Sequence, residues 1–278
     1  MQNWLKDRYA IVTGASSGIG RELCKILIEK YQAKVIGVGR REEKMLSLAK
    51  ELGDKASKFT YRLFDVGNEK EWQEFRIFLQ ETGIAPILLI NNAGVFPTFK
   101  KVVDTPMDTY KWVMQTNFYS VLYAVKEIAP ILQGADKHLP AIVNINSSAA
   151  LCTVAGTSGY SASKGALKSY TEALQLEEKG RMYVGLMCPG TTATELFHND
   201  KKMETTPMHL IAMPAEKMAK KIARKILCKK QRAVLGLDAK LMNLTAKLAP
   251  TKGLALISWV MKASKADAFR DVYDYKNK

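Results

Sequence analysis

Three features of this sequence predict a doubly wound α/β fold, a parallel sheet covered by helices on both faces. Short apolar runs alternate with amphipathic helical patterns from residue 8 onward. The run "PILLINN" (86–92) is apolar without alternation as far as Ile90, as a strand buried on both faces requires. A glycine-rich turn, "TGASSGIG", stands between the first strand and the first helix.

The elements follow in order. "RYAIVT" (8–13) is the first strand, and Ile19, Leu23, Ile26 and Leu27 then mark one face of a helix. A strand at 33–39 leads to the helix "REEKMLSLAKEL", which Gly53 stops. A strand at 59–65 precedes a helix at about 68–82, and the strand 86–92 precedes a long helix over roughly 107–133. "AIVNINS" (141–147), a helix over about 158–179 and "MYVGLMCPG" (182–190) complete the alternation. Pro214 opens a helix whose stripe is Met218, Ile222 and Ile226, and "AVLGL" (233–237) is expected to be the last strand. No linker composition or repeat interrupts the 278 residues, so one domain is expected: a core over 1–195 and a helical lid and extension over 196–278.

Composition narrows the function classes. At 47% hydrophobic residues the chain is neither disordered nor membrane-spanning, and no apolar run reaches the roughly 18 residues a spanning helix needs. The N-terminus is polar and shows no signal peptide, and a cytoplasmic location, at most peripheral to the inner face of a membrane, is expected. Cys24, Cys152, Cys188 and Cys228 form no CxxC pair, and no metal site is expected. The net charge is +15, of which residues 201–278 hold +12, from 18 Lys and Arg against 6 Asp and Glu. That tail fits an anionic contact or a solvated helical face, but no nucleic-acid module or aromatic platform accompanies it.

The glycine turn carries the first chemistry. Gly14 permits the tight turn, Gly18 lets backbone approach a ligand, and Gly20 lets helix pack on strand. The helix start then offers free N–H groups and a positive dipole end to a pyrophosphate. No Gly-Lys-Ser/Thr follows, so the turn is not a P-loop. The stretch also matches G-x-S-x-G over Gly14–Gly18, the nucleophile elbow of serine hydrolases, which would need an acid and one of His138, His198 or His209. At the end of the second strand stand Arg40 and Arg41, where an acid would favour the 2′-hydroxyl of NAD and a guanidinium favours the 2′-phosphate of NADP(H). Arg40 is the first candidate and Arg41 the next.

A second constellation is "GYSASKGAL" (159–167), which sets Tyr160 one helical turn before Lys164. Together "TGASSGIG", "NNAG", the "SS" pair before "YSASK", and "PGTTAT" resemble the short-chain dehydrogenases/reductases over roughly residues 6–195. The resemblance implies a Rossmann fold and an oxidoreductase. It implies Tyr160 as general acid/base, Lys164 on the nicotinamide ribose and lowering the tyrosine pKa, and Asn117 completing a proton relay. It implies that a serine orients the substrate oxygen. Ser147 lies thirteen residues before Tyr160, the family's usual interval, whereas Ser148 lies twelve before it but is the second of the pair; Ser148 is taken. For the cofactor, the resemblance implies Gly14, Ser16, Ser17, Gly18, Ile19 and Gly20 in the turn, and Asp65 and Val66 beside the adenine. It adds Asn91, Ala93 and Gly94 along the cleft, and Pro189, Gly190 and Thr194 over the carboxamide.

The chemistry needs this pair. Hydride reduction of a ketone leaves an alkoxide that must take up a proton, and a tyrosine with pKa about 10 is an acid but seldom a phenolate. An ammonium ~4 Å away at an effective dielectric of ~20 offers up to about 4 kcal/mol, roughly three pKa units. The segment after "PG" forms the substrate lid in this family, and here it is rich in Leu, Met, Ile and Trp. An apolar ketone or secondary alcohol, steroid-like or a long-chain lipid, is therefore expected, in a homodimer or homotetramer. The stretch 241–265 stays open between a lid, an interfacial segment anchored by Trp259 on anionic lipid, and a packing helix. A non-catalytic NADP(H) sensor and a reductase of small polar carbonyls are the alternatives.

Overall fold

The computed structural model describes residues 3–134, 138–197 and 212–273. Seven parallel strands form one sheet in the order β3-β2-β1-β4-β5-β6-β9. They are β1 (Tyr9–Thr13), β2 (Lys34–Gly39), β3 (Phe59–Leu63), β4 (Pro86–Asn91), β5 (Ala141–Ile145), β6 (Tyr183–Pro189) and β9 (Arg232–Leu235). A two-residue pair, β7 (Thr192–Ala193) and β8 (Met213–Pro214), lies outside it. The order reverses between β1 and β4, which opens a crevice at the carboxyl ends of those strands.

Strand alternation feeds two cores. Ala10 and Val12 of β1 join one apolar cluster, while Ile11 between them joins the other. The first cluster is closed by α1 (Gly18–Glu29), α2 (Glu42–Leu52) and α7 (Ala215–Leu227), which supply Leu23, Leu48 and Ile222. The second is closed by α3 (Glu69–Glu81), α5 (Ser120–Ile128) and α6 (Ser158–Glu177), which supply Trp72, Val125 and Leu167. Trp72 is fully buried, and its indole N–H donates to the Val66 carbonyl at 2.9 Å.

The expected elements are present, with shifts at their ends. The helix expected over 107–133 is divided into α4 (Met107–Met114), a π turn at Gln115–Tyr119, and α5. Pro130, which has no amide hydrogen to donate, ends it in a 3-10 turn at Ala129–Ile131. The apolar stretch after β9 forms two helices, α8 (Leu237–Leu248) and α9 (Pro250–Ala263), parted at Pro250. No helix among the described residues is long and apolar enough to cross a membrane.

The stripe on α7 gives a direct test. Met218, Ile222 and Ile226 are fully buried, and α7 packs on α1. Ile222→Ala should cost about 2–5 kcal/mol in urea unfolding, whereas Lys221→Ala on the exposed face should stay within about 0.5 kcal/mol.

Candidate active site

The carboxyl edge of the sheet is closed by side chains. The Thr13 hydroxyl accepts from the amides of Asn92 and Ala93 at 2.9 and 3.0 Å, and the Asn92 amide donates to the Thr13 carbonyl at 2.9 Å. This ties the first glycine turn to the loop after β4. Gly14 and Gly18 hold φ of +66° and +54°, the left-handed region that side chains avoid. A Cβ on Gly20 would run into the Gly14 carbonyl and the Asn92 side chain. The three glycines therefore shape a shallow cradle at the start of α1.

A cavity of about 1090 Å³ extends from this cradle. Arg40, Arg41, Lys44, Asp65 and Val66 line one end. Ser16, Ser17, Gly18 and Ile19 line the middle, with Ala93, Gly94, Pro189, Gly190 and Thr194 across from them. Ser147, Ser148, Tyr160 and Lys164 stand beyond, and the far end is apolar. Its wall is a chain of edge-on rings: Tyr160 to Phe96 with centroids 4.9 Å apart, Phe96 to Phe99 at 5.1 Å, and Phe99 to Phe269 at 4.9 Å. Leu241, Met242, Ile257, Val260 and Met261 complete that end from α8 and α9.

Two expected cofactor residues sit off the cavity. Asn91 is buried in β4 and donates to Asn144 at 2.8 Å, and Asn144 donates to the Thr171 hydroxyl at 2.9 Å. Alternation along the strand turns Asn91 into the sheet and leaves Asn92, the next residue, at the cavity wall. Gly20 shapes the turn without lining the cavity.

Both serines of the pair line the cavity. Of the two, Ser147 is the one whose side chain acts on the Tyr160 phenol, lowering its pKa against burial. Ser147 also accepts from the Ala149 amide at 3.1 Å, capping the 3-10 turn Ser148–Ala150.

Asn117, in the π turn, is fully buried. Its side chain accepts from the Val95 amide at 2.7 Å and donates to the Val95 carbonyl at 3.0 Å and to Ser163 at 3.1 Å. Asn117 and Lys164 flank the same residue: a Cβ on Gly94 would lie 3.2 Å from the Asn117 carbonyl oxygen and 3.6 Å from Lys164 Nζ. The Lys164 ammonium donates to the Ile145 carbonyl at 3.2 Å and lies 5.9 Å from the Tyr160 ring centroid.

Burial dominates the protonation of this pair. It pushes the Tyr160 phenol above its ordinary value of 10.0, with the Ser147 hydrogen bond acting downward. It pushes Lys164 down to about 8, with Cys188 acting weakly the other way. For Tyr160 burial sets the direction, and the phenol is raised. Low dielectric penalises phenolate and ammonium alike, and it acts on both here. A neutral phenol is the form that donates a proton.

At the opposite end, Arg41 donates to Ser16 at 3.3 Å and pairs with Glu195 at 2.9 Å, and Lys44 pairs with Glu195 at 3.2 Å. Arg40 instead meets Asp65 at 3.4 Å. Arg41 thus has the better-built surroundings, and Lys44, one turn into α2, joins it. Asp238 of α8 also reaches the cavity. Its carboxylate accepts from the Thr191 amide at 2.6 Å and fills the space beside Gly190, where a Cβ would collide with it. Nothing local to Lys44, Glu195 or Asp238 announces a role, because each acts across a distance in sequence. The hydrolase alternative finds no support from His138, which precedes β5 at the sheet edge opposite Ser16 and contacts Lys229 and Trp4. His198 and His209 lie outside the described residues.

Comparison with known proteins bears on the same region. The short chain dehydrogenase family model matches residues 8–205. The uncharacterized oxidoreductase YxnA of Bacillus subtilis is 29% identical over 272 residues, covering 94% of this chain and 74% of its own. An uncharacterized oxidoreductase of Staphylococcus aureus, MW2403, is 31% identical over 194 residues, covering 69% of this chain and 81% of its own. A variant of actinorhodin polyketide ketoreductase solved with NADPH superposes with a TM-score of 0.73 at 25% identity, covering 85% of this chain and 98% of that one. A Shigella flexneri short chain dehydrogenase solved with NADP gives 0.71 at 22% identity, over 86% of this chain and all of that one, a likeness of fold.

Lysine burial predicts a pH signature. Below pH about 8 Lys164 is protonated in both folded and unfolded chains, and the full cost of burying the charge applies. Between about 8 and its ordinary 10.5 the unfolded chain holds the proton and the folded one sheds it, so stability rises with pH. Lys164→Met should stabilise the ligand-free protein by about 2 kcal/mol at pH 7, after the lost bond to Ile145 is deducted. That gain should shrink through the same window in denaturant titrations.

Proposed function

The chain belongs to the short chain dehydrogenase family, and on that premise we propose that it is an NADP(H)-dependent oxidoreductase interconverting an apolar ketone and its secondary alcohol. One observation carries the reading: a single cavity joins a glycine cradle and a basic end to an apolar, ring-lined end, with Tyr160, Ser147 and Lys164 between them. The left-handed glycines leave the cradle open where side chains would fill it, and Arg41, Lys44 and Ser16 supply donors suited to a phosphate.

A nicotinamide held in this cavity would supply or accept the hydride. The protein's own groups handle position and proton. Ser147 holds the substrate oxygen beside the Tyr160 hydroxyl, and the phenol, kept neutral by burial, gives that oxygen its proton on reduction. Lys164 sits behind Tyr160 at Gly94, reaching toward the ribose side of the cleft. Asn117 fixes the Val95 backbone on the same side and so keeps that wall still. Phe96, Phe99 and the α8–α9 residues exclude water from the reacting end and favour an apolar substrate, steroid-like or long-chain.

The α8–α9 pair also supports contact with an anionic bilayer surface. Leu248 is 77% exposed and Trp259 66%, with Leu241 and Val260 half exposed at the cavity mouth. Lys240, Lys247, Lys252 and Lys262 are exposed around them. This is an apolar strip with a cationic border, suited to shallow insertion among anionic headgroups.

Two measurements test the function. Across steroids, long-chain ketones and small polar carbonyls, NADPH oxidation should favour the apolar compounds, and a preference for polar ones would overturn the substrate class. Tyr160→Phe should keep NADPH affinity within about two-fold and lose turnover by about 10²-fold or more. Ser147→Ala should lower kcat in the same way while Ser148→Ala leaves it within a few-fold. For the surface, sedimentation with anionic vesicles at low salt should carry the protein down, and neutral vesicles or high salt should release it.

A further inference from the structure

Glu195 is the acid that pairs with Arg41 and Lys44, the two cations beside Ser16. It belongs to no part of the cradle. It comes from the segment after β7, on the far side of the cleft, and reaches across to the start of α2. One carboxylate oxygen takes Arg41 at 2.9 Å and the other takes Lys44 at 3.2 Å. A carboxylate on a guanidinium and an ammonium satisfies the same donors that a phosphate monoester would. Two anions cannot share them without strong repulsion.

We propose that Glu195 is an internal latch that occupies the seat of the ribose 2′-phosphate, so that a 2′-phosphorylated dinucleotide must displace it to bind. The inference rests on the NADP(H) reading above. An unphosphorylated dinucleotide carries only a hydroxyl there and leaves the latch in place. The adjoining residues give the displacement a reach. Thr194 packs against Gly18 in the cradle, where a Cβ would lie 3.0 Å from its methyl. Leu196 packs on the ring cluster that holds Phe96 and Tyr160. Three consecutive residues thus touch the pyrophosphate turn, the phosphate seat and the substrate end. Release at Glu195 frees a strap that lies over all three. The cost of release is small, because Glu195, Arg41 and Lys44 are each about two-fifths exposed.

The test is equilibrium binding of NADPH and of NADH, followed by nicotinamide fluorescence, with no substrate present. Wild-type preference for NADPH over NADH tests the cofactor reading; equal affinities would overturn that reading and the seat with it. Glu195→Gln tests the latch. It should bind NADPH about three- to ten-fold more tightly than wild type and leave NADH affinity within two-fold. In a Lys44→Ala background the same change should give a smaller gain, because one of the latch's two partners is gone. Weaker NADPH binding by Glu195→Gln would make Glu195 a clasp over the cofactor and overturn the latch. An equal gain for NADPH and NADH would also overturn it, since a latch in the phosphate seat discriminates between them.

Discussion

The Asn146 side chain is the interaction on which the catalytic geometry depends. It stands just past β5, buried, and its amide donates to the Lys164 carbonyl at 3.1 Å while its oxygen accepts from the Ser147 amide at 2.9 Å. Its own backbone amide donates to Met187 of β6 at 2.7 Å. One residue therefore fixes the strand edge, the serine and the middle of α6 relative to one another. Catalytic geometry is sensitive to misplacement of about an ångström, and together with the Lys164 bond to the Ile145 carbonyl this residue keeps a loop serine and a helical tyrosine in register. The Thr13 hydroxyl does the equivalent at the other side of the crevice, joining the glycine turn to Asn92 and Ala93.

These staples sit where the fold is least able to stabilise itself. Left-handed glycines, a buried ammonium and a buried phenol each cost free energy, and all are gathered at one edge of the sheet. The compensation lies in the two apolar layers, one on each face of the sheet. Strain near the chemistry and close packing away from it are thus divided between the edge and the body of one sheet.

The sequence carried the fold well because its periodicities are local. A strand reads as a strand from five or six residues, and Gly14, Gly18, Tyr160 and Lys164 lie in short motifs with fixed spacing. Element ends moved by a residue or two, as capping and fraying allow. What sequence could not carry is pairwise and distant. Asn91 and Asn92 are both asparagine, and only the phase of β4 decides which one reaches the cavity. Ser147 and Ser148 differ by one position on a tight turn. Glu195 lies 154 residues from Arg41 along the chain, and Asp238 lies 47 from Thr191. Protonation is a further case: spacing gives the proximity of Tyr160 and Lys164, but only their burial shows that desolvation raises the phenol and lowers the ammonium.

The π turn at Gln115–Tyr119 has a consequence for how such a site diversifies. By inserting one residue into an otherwise continuous helix, it turns Asn117 so that its amide meets both backbone groups of Val95. That is the hydrogen-bonding pattern of a neighbouring β-strand, reproduced by a single side chain. The irregular segment after β4 is consequently anchored at its base as firmly as if the sheet continued there. Phe96 and Phe99 project from that anchored base, so their size and shape can be exchanged without disturbing the backbone beneath them. The two rings are not equivalent in this respect: Phe96 meets the Tyr160 ring, so a change there reaches the phenol directly, whereas Phe99 stands one ring further away.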